Sequence, residues 1–365
     1  MKLFSCEVCH EVVFFENTWC MKCQASLMFL PDRGVLSAVK PEPEDPSELR
    51  PLLKEASRET YRRCRNGVDF EVCNWGVPVS SGKEYCRACE LNTTIPNLSN
   101  PGAREAWQKL EVGKRRLLYT LLELGLPVEP KPTPDAPGLS FAFEQDVEGE
   151  RKVFTGHSNG LITINVAEAD SPFLERMRVA MGEAYRTLLG HFRHEIGHYY
   201  WDRLVKDSEF LPRFRELFGD EQLDYADAQQ RHYQGGPPSD WQLRFVSAYA
   251  SMHPWEDFAE TWAHYLHMVD TLETARSYGL ALKAKPVGRS PHAPRLAASR
   301  VDFDDFDDLL EAFVPLTVAL NSLNRSMGLL DPYPFVLSEP ATRKLGFVHE
   351  LVESAAPKSG EPSKA

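Results

Sequence analysis

Hydrophobic positions fall at helical spacing most clearly between Pro172 and Pro212, where no proline interrupts and Leu188, Leu189, Phe192, Ile196 and Tyr199 recur three and four apart. That pattern predicts a helix. A second helix is expected from Pro254, a residue suited to the first helical position, with Phe258, Trp262, Tyr265 and Val269 mostly on one side. Glu256, Glu260, His264 and His267, spaced four, four and three, share its other face. Asn100-Pro101 opens a third, which Gly125 and Pro127 stop, with Trp107, Leu110, Leu117, Leu118, Leu121, Leu122 and Leu124 facing a core. Leu49, Leu52, Leu53 and Ala56 read as a helix from Ser47 to about Arg63. The acidic run Asp302 to Asp308 suits the first turn of an apolar helix around Leu309 to Leu323 better than it suits a cation.

Alternation takes over at Leu139 to Phe143, and a β-branched run follows from Gly160 to Val166, so both read as strands. Lys40 to Pro46 reads as a linker, Pro127 to Pro137 as a stiff extended connector, and Glu221 to Asp240 as polar and turn-rich with a break at Gly235-Gly236-Pro237-Pro238. A few strands followed by helices predict an α+β, mainly helical domain with a small sheet over residues 99–354. A smaller domain is expected over 1–98, and residues 355–365 read as a disordered tail.

The composition, 42% hydrophobic and 26% charged over 365 residues, allows two soluble domains. No apolar run approaches the roughly 18 residues of a membrane span, and the first residues do not resemble a signal peptide, so the expected location is the cytoplasm. A formal net charge of −12 disfavours a general nucleic-acid binder, because phosphate neutralisation requires clustered Lys and Arg. The small basic group of Arg62, Arg63, Arg65 and Arg87 fits a solvated or ion-paired surface.

All eight cysteines lie in the first quarter of the chain. Cys6, Cys9, Cys20 and Cys23 form two Cys-x-x-Cys turns around a β-prone Val12 to Phe15, the pattern of a zinc ribbon in which four sulfurs hold one tetrahedral ion. A redox Cys-x-x-Cys would need only one such turn, at a helix start. Cys64, Cys73, Cys86 and Cys89 are spaced more loosely and suggest a second four-sulfur zinc site. Spacing leaves open a crossed arrangement that mixes the two sets.

The first predicted helix carries His194-Glu195-Ile196-Gly197-His198, that is His-Glu-x-x-His. Histidines four apart share a helix face, so His194 and His198 can offer imidazole nitrogens to one zinc ion, with Glu195 beside them as a general base. A catalytic zinc usually takes three protein ligands and keeps a fourth position for water. The metzincin pattern would set a third histidine six residues after the second, following a glycine, but Leu204 and Trp201 occupy those positions. Glu256-x-x-x-Glu260 fits instead the second-helix glutamate of the gluzincins.

The runs His191 to Trp201 and Ala250 to His267, together with the cysteines, resemble bacterial zinc metallopeptidases that carry an N-terminal zinc ribbon, a likeness over nearly the whole chain. The second helix is also similar to that of gluzincins of the anthrax lethal factor type. The resemblance implies a zincin-like fold, Glu256 as third ligand and Tyr249, seven residues earlier, as a catalytic hydroxyl. Some relatives have an Asp where this chain has Thr261. His253 is the alternative group to stabilise an oxyanion, Glu260 fits a carboxylate that accepts a hydrogen bond from a ligand imidazole, and His191, His264 and His267 are taken as structural. The expected cofactors are one catalytic and two structural zinc ions. The expected activity is hydrolysis of peptide bonds in a peptide or protein substrate by a zinc-activated water, with the Gly160 to Val166 run as the edge strand that receives it. Two rival functions stay open: an inactive zinc-stabilised adaptor that binds protein or nucleic acid through its ribbon, and a zinc hydrolase of another amide or ester.

Overall fold

The computed structural model describes residues 1–147, 152–170, 187–285, 295–297 and 300–356. The chain forms two compact units, Leu3–Leu174 and Met1–Lys2 with Glu175–Ala365. Most of the predicted tail, 357–365, lies outside the described residues. No helix among the described residues is long and apolar enough to cross a membrane.

The first unit opens with β1 (Phe4–Ser5) and β2 (Val12–Val13), an antiparallel pair that flanks the Cys6 to Cys9 turn. An antiparallel sheet follows, in the order β3 (Leu27–Leu30), β4 (Val35–Pro41), β5 (Leu49–Pro51), β6 (Tyr61–Arg63) and β7 (Gly76–Pro78). Two expectations fail here. The Lys40 to Pro46 stretch is the loop of a hairpin in which Lys40 pairs with Arg50, and the helix expected from Ser47 to Arg63 is two strands joined by a single turn, Lys54–Ala56. Pro51 inside the run cannot donate a helical hydrogen bond, and the pairing of β5 with β4 and of β6 with β5 buries Leu49 and Tyr61 against Met28, Leu30 and Val39.

The short helix α1 (Arg65–Phe70) leads on to β8 (Asn92–Thr94), which lies parallel to β9 (Ser140–Glu144). Parallel neighbours need a crossover, and α2 (Ala103–Glu123) supplies it, with Trp107, Leu110, Leu117, Leu118 and Leu121 buried as expected. The proline-rich segment after α2 is not an extended connector: the Leu139 amide bonds to Glu129 O at 2.7 Å, so the chain doubles back. Next come β10 (Gly156–Ser158) and β11 (Leu161–Asn165), and the sheet order is β10-β11-β9-β8. The Gly160 to Val166 run is therefore an interior strand, paired on both sides, and its backbone is not open to receive a substrate.

The second unit is helical. The motif helix α3 (Leu188–Tyr200) runs into a wider turn over Trp201–Val205, followed by α4 (Leu211–Phe218). A helix, α5 (Tyr225–Gly235), forms where only turns were expected. Ala228 is its one buried residue, so no apolar period announced it. The long α6 (Pro254–Ser277) has Pro254 in its first turn, as predicted. After a hairpin of β12 (Ala281–Lys283) and β13 (Arg295–Ala297) come α7 (Phe306–Ser326) and α8 (Glu339–Ala355). The acidic run opens α7 as expected: the Asp305 side chain caps it by accepting the Asp308 amide at 3.1 Å.

Close packing of α3 on α6 positions the site. A Cβ on Gly197 would lie 2.9 Å from the Ala259 Cα and 3.1 Å from the Trp262 Cβ, so the glycine lets the helices approach. Tyr200 stacks on Trp262 with ring centroids 4.9 Å apart. From the far side α8 pins α6 through a buried pair, Lys344 Nζ to Asp257 at 2.5 Å.

Candidate metal centres

The cysteines gather as two separate sets, Cys6/Cys9/Cys20/Cys23 and Cys64/Cys73/Cys86/Cys89, with the sulfurs of each within 4.8 Å of one another and none in a disulfide. The crossed arrangement does not form. Sulfur pairs stand 3.7 Å (Cys6 to Cys23) and 3.6 Å (Cys9 to Cys20, Cys73 to Cys86) apart. A tetrahedral zinc with bonds of about 2.3 Å asks for about 3.75 Å, so both sets fit the ion.

Two matching turns build the first set. The His10 amide bonds to Cys6 O and the Gln24 amide to Cys20 O, at 2.8 and 2.9 Å, and both residues adopt a left-handed φ of 60°. In the second set a Cβ on Gly67 would meet Cys73 O at 2.2 Å, so that turn requires glycine. Four thiolates and one zinc carry −2. Beside them the buried Arg115 of α2 bonds to Val72 O at 2.6 Å, and its charge, opposed by burial, is favoured by Cys73, Glu111, Cys89 and Cys86.

The third set combines α3 and α6. His194 and His198 turn their Nε2 atoms to within 3.2 Å of each other. Glu256 sits in the first turn of α6 with Oε2 2.9 Å from His194 Nε2 and Oε1 3.5 Å from His198 Nε2. Ligand bonds of about 2.0–2.1 Å in a tetrahedron separate donor atoms by about 3.3–3.4 Å, a span these distances bracket. One turn further on, Glu260 Oε1 lies 2.7 Å from His194 Nδ1, while Ser247 Oγ donates to its Oε2 at 2.5 Å. With Nδ1 donating to Glu260, the Nε2 lone pair of His194 faces the other donors. Trp255 lies against the His198 ring, centroids 3.8 Å apart.

Glu195 is buried beside this set, and burial raises its carboxyl pKa against the pull of His194 and His198. Tyr249 lies in a short turn before α6, its ring centroid 5.9 Å from that of His194. Burial, and then the Glu256 charge, push its phenol far up, so it is a proton donor. His253 is engaged otherwise. As the N-cap of α6 its Nδ1 accepts the Trp255 amide at 3.1 Å, and its Nε2 donates to Leu223 O at 3.1 Å, which occupies both ring nitrogens. His264 bonds through Nδ1 to the Tyr333 hydroxyl at 2.8 Å, and His267 Nδ1 accepts from Arg193, whose guanidinium also pairs with Asp270.

Two contributors escaped the sequence reading. Ser247, which holds Glu260, carries no periodic signal. Tyr225 donates its hydroxyl to Glu256 Oε1 at 2.9 Å from 31 positions away, out of a stretch read as turns.

Residues 103–351 match the family described as "Putative zinc-binding metallo-peptidase", and residues 3–100 match a zinc-ribbon domain. Uncharacterized proteins of Mycobacterium bovis and of two strains of Mycobacterium tuberculosis are each 40% identical to the chain over 358 residues, covering 98% of it and 97% of theirs. No solved structure matches. With cysteine sets suited to a ribbon at one end and a histidine–glutamate set at the other, the chain belongs to this zinc-binding metallopeptidase family, with an N-terminal zinc ribbon.

Proposed function

We propose that the protein is a gluzincin-type hydrolase that cleaves peptide bonds at the site formed by His194, His198 and Glu256, with Glu195 as general base. The observation that carries this reading is the donor set itself: among the described residues, three protein ligands rather than four, with an uncommitted buried carboxylate alongside. Zinc, held by His194, His198 and Glu256, would supply Lewis acidity there, lowering the pKa of a water towards about 7 and polarising a carbonyl. Glu195 accepts the proton of the attacking water and passes it to the departing amine, and its burial, which raises its carboxyl pKa, favours the protonated form that it passes through. Tyr249 donates to the oxygen that gains negative charge. Glu260 keeps His194 in the tautomer that offers Nε2. His253 has no part in the reaction and serves as the cap that orients α6. Tyr249 is preferred as the oxyanion donor because both nitrogens of His253 are already bonded.

Glu195→Gln tests the reading, because an amide of the same shape cannot accept the proton. Zinc content should stay at the parent's level while cleavage of a diverse peptide library, followed by mass spectrometry, falls by about a hundredfold or more. Cleavage at the parent's rate removes Glu195 as the base. A parent that binds zinc at this site but cleaves no peptide or other amide would favour the adaptor function instead.

A further inference from the structure

Glu256 is buried, and its two carboxylate oxygens have different neighbours. Oε2 lies 2.9 Å from His194 Nε2, while Oε1 accepts the Tyr225 hydroxyl at 2.9 Å. A phenol has one proton, so the oxygen of Tyr225, its proton given to Glu256, is left as an acceptor. The Tyr225 hydroxyl therefore spends its one proton on the Glu256 carboxylate. Among the described residues of α5, Ala228 alone is buried, so the helix that brings Tyr225 here packs weakly by itself. The Tyr225 ring packs edge-on against His253, centroids 5.4 Å apart, and against Trp255, at 6.2 Å.

We propose that Tyr225 is a positioning residue for the metal centre: its hydroxyl holds Oε1 of Glu256, so that Oε2 is the oxygen presented beside His194. The inference rests on the proposed role of Glu256 as a ligand. It adds a second tyrosine to the site, one that acts through Glu256 rather than on the substrate.

Phenylalanine distinguishes this role from packing. If the ring alone matters, Tyr225→Phe behaves as the parent and Tyr225→Ala does not. If the hydroxyl positions Glu256, both variants lose affinity alike. The full-length chain is titrated with a chromogenic chelator, and the ion of this site is defined as the equivalent absent from His198→Ala. Tyr225→Phe should weaken that ion by about ten- to a hundredfold, the usual cost of losing a hydrogen-bonding partner of a ligand. Gln230→Ala, an exposed change on the same helix, should leave it unchanged. On a cleaved peptide, kcat should fall about tenfold or more with KM within about twofold, since the loss falls on chemistry rather than on substrate binding. Parent-like zinc affinity in Tyr225→Phe overturns the proposal. If the parent cleaves nothing, the hydrolase reading fails, and the zinc titration still decides the role of Tyr225.

Discussion

The cysteine sets and the histidine–glutamate set are each sized for one zinc ion, but their surroundings differ. Each cysteine set offers four sulfurs, enough to close a tetrahedron, and its neighbours are turn amides and, for the second set, the charge of Arg115. The third set offers three donors, and buried or half-buried acids and phenols surround it: Glu195, Glu260, Tyr225 and Tyr249. Where the protein supplies every ligand, the ion holds the fold together. Where it withholds one and adds proton-handling groups, the coordination position left over is the one that the proposed hydrolysis uses. The local architecture follows the same division. Short turns and strands with little core of their own surround the sulfurs, whereas the open site sits on two long helices whose packing exists without it.

The largest effect should come from breaking a closed site. Cys64 is fully buried among its partners, and structural zinc contributes on the order of 10–16 kcal/mol to small metal-held folds. Cys64→Ser in the full chain should therefore abolish the cooperative unfolding transition of the unit spanning Leu3–Leu174 and lower zinc content. His198→Ala should also lose one zinc but keep both transitions, because α3 and α6 remain packed through Gly197, Tyr200 and Trp262. Metal analysis beside urea unfolding followed by tryptophan fluorescence checks this pair. Equal unfolding losses in the two variants would break the comparison.

Within the open site, removal of a ligand should cost more than removal of its support. Glu256→Ala should abolish tight zinc binding, because an oxygen about 2.0–2.2 Å from the ion is lost. Glu260→Ala leaves all three donors and removes only the acceptor for His194 Nδ1, so a loss of about ten- to a hundredfold is expected. Zinc titration of both variants, with folding checked by circular dichroism, measures the difference. The opposite order would exchange the roles of the two glutamates.

The parts of this arrangement that were legible in sequence are those in which local spacing equals spatial neighbourhood. His194 and His198 lie on one face because they are four apart, and the Cys-x-x-Cys pairs close because two residues fit between them. Glu256 and Tyr249 became readable through family resemblance rather than through periodicity. The helix expected from Ser47 to Arg63 failed because its leucines sit at spacings that serve a strand hairpin as well, and pairing with β4 decided between them. Tyr225 was out of reach for a different reason. Its helix buries almost nothing, so the apolar period that reveals helices is missing, and its partner lies far along the chain. His253 looked like a reactive group only until the Trp255 amide and Leu223 O took up its two nitrogens.

The smallest predicted effect sharpens the comparison from the sulfur side. His10 and Gln24 each follow a Cys-x-x-Cys turn at a φ of 60°, a left-handed conformation that costs an L-residue roughly 1–2 kcal/mol. Glycine adopts that conformation without the Cβ clash but gives up more backbone freedom on folding, which cancels part of the gain. Gln24→Gly should therefore stabilise the first sulfur site by about 0.5–1 kcal/mol, since the exposed Gln24 side chain has only its bond to Met21 O, at 3.2 Å, to lose. The gain should appear as a few-fold slower loss of one zinc to a chelator, with the ion defined by His198→Ala released at the parent's rate. If both ions are released more slowly, the turn is not acting locally, and the energetic independence of the closed and open sites falls with it.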